Sequence, residues 1–226
     1  ELVLQELGTV DKMRQVFGAE TPADWLEIWK DNIRQAVKAG ARYLVLHVSD
    51  VAISEMYTWR FHLSDQEVIC GTIELVNALD EVLPDDMLLL FENLWWPGLR
   101  LDDAALLETL LLGVKHQKCG VMLDTGHLMN TNQGIKSVAE GFHYILQRVG
   151  QLGCLKQVIR GIHLSASVSG PYVENILAAS SPTSQTSEST RTPVADSAAT
   201  ASAFFPPLVA QIATSAPAST NASPPP

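Results

Sequence analysis

Five residues able to bind a metal ion close, or directly follow, short apolar runs. They are His47 in Tyr43-Leu-Val-Leu-His47, Glu92 in Met87-Leu-Leu-Leu-Phe-Glu92, Asp124 and His127 in Gly120-Val-Met-Leu-Asp-Thr-Gly-His127, and His163 in Val158-Ile-Arg-Gly-Ile-His163. Carboxylate oxygens and imidazole nitrogens together make a donor set for a divalent cation. Carrying a carboxylate such as Glu92 out of water beside apolar neighbours costs on the order of several kcal/mol unless a cation or hydrogen-bond donors compensate. His47 and His163, at matching positions, form a natural pair of nitrogen ligands. The short Thr-Gly step after Asp124 is flexible enough to fold His127 back beside it, with the carboxylate either on the metal or orienting the imidazole. Glu92 and His127 are also the candidates for moving protons. Trp95 and Trp96 follow Glu92 closely and either stack on a sugar ring or cover the core. His62, His116 and His143 read as structural or surface residues, and Asp50 and Glu55 as solvated loop residues.

Something must bring these residues together. Runs of four to six apolar residues bounded by turn signals read as strands buried on both faces. Between them lie helices. Thr21-Pro-Ala-Asp24 supplies a cap, a first-turn proline and an early acid for a helix that Gly40 stops. Ser64-Asp-Gln-Glu67 is a capping box for a helix reaching about Leu83. Further helices are expected over residues 102–112 and through Val138, Phe142, Ile145 and Val149, with another ending at Phe17. The strands begin near 43, 87, 120 and 158, a spacing that predicts parallel βα units. A closed barrel collects all strand C-termini at one mouth, whereas an open sheet spreads them along an edge. Ligand-type residues at the ends of four successive strands favour the barrel. The fold class expected is therefore α/β, a partial (β/α)8 barrel with about four units visible.

Composition bounds the rest. Of the 49 residues from Ala178 to Pro226, 37 are Ala, Ser, Thr or Pro. So few large apolar residues cannot offset ordering entropy, and residues 177–226 are expected to be a disordered tail behind a 1–176 domain. The net charge of −10 weighs against broad electrostatic binding of nucleic acid and suits a small polar partner. Three widely spaced cysteines show no disulfide framework, and no run is long and apolar enough for a membrane span, so a cytoplasmic protein is the expectation. The start at Glu1 rather than Met suggests a fragment or processed product.

Taken together, Gly120-Val-Met-Leu-Asp-Thr-Gly-His127 and Gly161-Ile-His-Leu164, with Leu90-Phe-Glu-Asn-Leu94 and Leu44-Val-Leu-His47, resemble the xylose-isomerase-like TIM-barrel superfamily over residues 20–172. That superfamily includes sugar isomerases and epimerases as well as endonuclease IV. The resemblance implies Glu92, Asp124 and His163 as ligands of a divalent metal (Zn, Mn or Mg) at the barrel mouth. It also implies His47 and His127 as the additional ligands of the endonuclease branch. Three outcomes follow: a metal-dependent sugar or polyol isomerase or epimerase, a metal-dependent phosphodiesterase acting on abasic DNA, or a non-catalytic truncated barrel. Two features depart from the family: Ser165-Ala166 replaces the usual polar pair after the last histidine, and no last-strand Glu is present.

Overall fold

The computed structural model describes residues 8–167; the predicted tail and the start of the first expected helix lie outside them. Helix α1 (Val10–Phe17) is capped by Thr9 and ends at Gly18, whose φ of 72° suits glycine. Helix α2 (Pro22–Lys38) carries the expected box: Thr21 Oγ1 accepts from the Asp24 amide, and Asp24 accepts from the Thr21 amide. Strand β1 (Tyr43–His47) leads to a short helix α3 (Ile53–Thr58) and then to α4 (Asp65–Leu79), which begins at the Ser64–Glu67 box. Strand β2 (Leu88–Glu92), helix α5 (Ala104–Gly113) and strand β3 (Cys119–Asp124) follow. Helix α6 (Thr125–Asn130), helix α7 (Val138–Gln151) and strand β4 (Ile159–His163) complete the order. Every strand ends at the residue expected from sequence. Two short helices were not expected: α3, and α6, whose first turn is the Thr-Gly step that the sequence suggested was flexible.

The strands form one parallel sheet in the order β1-β2-β3-β4. Sequential order matters. Right-handed crossovers between successive neighbours place every connecting helix on the same face. The packing agrees. Leu44, Leu46, Leu89, Phe91, Val121 and Leu123 point into one core with Ile33 of α2, Ile69 and Val76 of α4 and Leu107 and Leu110 of α5. Tyr144, Ile145 and Val149 of α7 pack against the same cluster. The alternate residues Val45, Leu90 and Met122 make a second, smaller cluster on the other face.

Side-chain alternation then decides where the chemistry sits. His47 shares a face with Val45, Glu92 with Leu90, and Asp124 with Met122, because residues two apart on a strand point the same way. Register aligns the ends: His47 pairs with Glu92, and Asp124 with His163. A bulge in β4 against Val121 and Met122 lets Gly161, and hence His163, fall in step with β3. Gly161 leaves room there for the Met122 thioether, which lies 2.7 Å from where a Cβ would stand. β4 is also the least covered strand, with Ile162 60% exposed.

Among the described residues, no helix is long and apolar enough to cross a membrane. Cys70, Cys119 and Cys154 are free thiols.

Candidate metal centre

Glu92 is the hub of the cluster at the strand ends. It is buried, yet three imidazoles approach a single oxygen, Oε1: His163 Nδ1 at 3.1 Å, His47 Nε2 at 3.4 Å and His127 Nδ1 at 3.5 Å. Burial pushes the Glu92 carboxyl up. Hydrogen bonds and charge from His47 and His163 outweigh it and hold the group below its ordinary value.

Two triads meet at this carboxylate. Glu92, Asp124 and His163 offer ligand atoms all within 4.8 Å of one another, and so do His47, Glu92 and His127. All five ligand-type residues identified in the sequence therefore fall in these two triads, and Glu92, Asp124 and His163 come together as expected. The donors are oxygen and imidazole nitrogen with no thiolate, a set that fits a divalent cation. A carboxylate among three imidazoles at a buried strand end is the kind of group such an ion would neutralise and organise.

Asp124 is held from two sides. Its Oδ1 accepts from the His127 amide at 2.8 Å, which caps α6, and from Ser165 Oγ at 3.0 Å. Both of these bonds fall on Oδ1 rather than Oδ2. Ser165 Oγ also accepts from the Gly126 amide, and Thr125 Oγ1 exchanges hydrogen bonds with the Ser165 backbone. Ser165 is thus built into the site. Gly126 makes it feasible, because a Cβ there would lie 2.3 Å from Ser165 Oγ.

Asn93 was not singled out in the sequence. It is fully buried, and its amide bonds both backbone groups of Asp124. Its spacing carried no signal beyond adjacency to Glu92.

The tryptophans divide. Trp95 is half-buried, its ring 5.0 Å from that of His127, so it flanks the cluster. Trp96 is buried, 4.6 Å from Trp95, and serves as its backing. The loop carrying them is tied to the end of β1, where Leu99 N–H donates to Val48 O and Ser49 Oγ donates to Pro97 O, and to the start of α4, where Gly98 N–H donates to Asp65 Oδ1.

The other histidines and acids singled out in the sequence belong to neither triad. His116 is buried and bonded to Met87 O at 2.7 Å, while His143 is exposed on α7. Asp50 is exposed. Glu55 is not the solvated loop residue expected. It is buried and accepts from the Ala52 amide, the His62 amide and His62 Nδ1, which ties α3 to the following loop.

No protein-family model matches the chain, and no curated protein matches it.

Proposed function

We propose that this chain is a divalent-metal-dependent isomerase or epimerase acting on a sugar or related polyol, built on part of a (β/α)8 barrel of the xylose-isomerase-like type. The observation that carries this reading is the convergence of Glu92, Asp124 and His163, with ligand atoms within 4.8 Å, from three different strands. Four sequential parallel strands with helices packed on one face agree with a barrel arc. The uncovered Ile162 on β4 is where a further βα unit would pack.

Glu92, Asp124 and His163 would hold the metal. The mixed oxygen and nitrogen donors suit Zn2+ or Mn2+, and Mg2+ less well. When bound, such an ion polarises a substrate carbonyl or hydroxyl and acidifies the neighbouring C–H. The chain's own groups do the rest. His127 and His47 stand beside the centre as proton carriers. Trp95 offers a partly exposed aromatic face to a sugar ring. Residues 48–52, 93–99 and 164–167, which follow the strand ends, contain no Lys or Arg, which favours a small uncharged substrate over a phosphate backbone.

A second reading is favoured by one observation. The His47, Glu92 and His127 triad shares its carboxylate with the first, and a bridged pair of metals is the arrangement of metal-dependent phosphodiesterases.

The test is to load the purified chain with Mn2+ or Zn2+, measure bound metal by elemental analysis, and follow interconversion of aldose and ketose or of sugar epimers by NMR in D2O. The isomerase reading requires stoichiometric metal and metal-dependent interconversion, with solvent deuterium entering the product on the enediolate route and none entering on a hydride shift. Absence of bound metal refutes both readings. Metal binding with cleavage of an abasic duplex, and no interconversion, selects the second.

A further inference from the structure

We infer that Asn93 is the positioning residue of this centre: it locks the end of β3 to the end of β2 and fixes His127 as the tautomer whose Nε2 keeps the lone pair. The inference rests on the metal-site reading above.

The paired register of β2 and β3 ends at Glu92 and Met122. Beyond it the Asn93 side chain takes over. The Asp124 amide donates to Asn93 Oδ1 at 2.9 Å, and Asn93 Nδ2 donates to the Asp124 carbonyl at 3.1 Å. These two bonds extend the ladder to the ligand itself. They also settle which amide atom is which, since an N–H must meet the oxygen and a carbonyl must meet the NH2. A neutral fork with one donor and one acceptor at this reach is a property of asparagine: aspartate has no donor, and glutamine is one methylene longer.

Asn93 acts on the other triad through its backbone. His127 Nδ1 lies 2.9 Å from Asn93 O. A carbonyl only accepts, so Nδ1 carries the hydrogen, and Nε2 is the nitrogen of His127 able to take a proton or a cation. The Nδ1–H also lies 3.5 Å from Glu92 Oε1, a second acceptor in the same direction. One buried residue therefore sets the backbone of Asp124 and the imidazole of His127 on either side of Glu92. Hydrogen-bonded supports of metal ligands act in this way, and their loss lowers affinity about 10- to 100-fold.

Two measurements test it on the full chain. In metal-free protein, long-range 1H–15N spectra of the histidine rings, assigned with His127→Gln, should show His127 as the Nδ1–H tautomer. Asn93→Ala keeps the backbone carbonyl that accepts from Nδ1, so the tautomer should persist, while affinity for Mn2+ or Zn2+ alone, by titration calorimetry, should fall about 10- to 100-fold with far-UV circular dichroism unchanged. An Nε2–H tautomer in the unmutated protein overturns the inference without any variant, so a poorly folded Asn93→Ala does not shield it. Unchanged metal affinity in a folded Asn93→Ala also overturns it. Failure of the unmutated chain to bind metal refutes the metal-site reading instead, and leaves the tautomer result to decide Asn93.

Discussion

His163 Nδ1 lies 3.1 Å from Glu92 Oε1, although 71 positions separate the two residues. β3 lies between their strands, so the contact spans the face of the sheet opposite the packed helices and exists only because both side chains point to it from strand C-termini. Asp124 stands on that intervening strand. Asp124→Ala removes one proposed ligand together with the α6 cap, while leaving the sheet's helix-side core intact. Bound metal should drop from stoichiometric to near zero by elemental analysis, with helix content by circular dichroism almost unchanged. Retained stoichiometric metal would contradict the assignment.

Ser165 and Gly126 form one unit. The hydroxyl of Ser165 sits where a Gly126 Cβ would be. Gly126→Ala should rotate the hydroxyl away and reproduce Ser165→Ala, each costing about 1–2 kcal/mol through lost hydrogen bonds to Asp124 and the Gly126 amide. The double variant should cost much less than the sum, as chemical denaturation of the three proteins would show.

Gly98 is a harsher case. Its φ is 132°, and a Cβ would stand 2.2 Å from the Val48 carbonyl oxygen, a backbone atom that cannot rotate aside. Gly98→Ala should cost about 2–3 kcal/mol, from strain and a displaced loop. The same shift should move Trp95 away from His127, so thermal unfolding and tryptophan fluorescence should change together.

The Glu55 carboxyl governs acid stability near α3. Burial raises it, but the amides of Ala52 and His62 and the His62 imidazole together hold it below its ordinary 4.5. In the window between 4.5 and the lowered folded value, the unfolded chain binds the extra proton. The stabilisation is therefore complete above that window and is lost as pH falls through it. Glu55→Gln should unfold at lower temperature at pH 7 and show a flatter loss of stability toward pH 3, measured by thermal melts across that range.

Much of the frame was legible in the chain because local chemistry dictates it. Apolar runs ending in His47, Glu92, Asp124 and His163 became four strands ending at those residues, and the Thr21–Asp24 and Ser64–Glu67 boxes start helices where they should. What escaped was what depends on neighbours across the sheet. Asn93 looks like any loop asparagine until strand register brings Asp124 opposite it. Glu55 looks solvated until His62 folds over it. Trp95 and Trp96 are adjacent and identical in type, and only the path of the tied loop sends one beside His127 and the other inside.

The amino-acid order by itself determined which residues form strands, where the helices start, and that acids and imidazoles sit at strand ends, because hydrophobic periodicity and capping act over a few neighbouring residues. Tertiary structure alone decided that those groups share one face, that Glu92 belongs to two triads, and that Asn93 and Ser165 brace them. Such relations are set by register between strands 30 to 45 residues apart, and that register depends on which side chains bury together in the core.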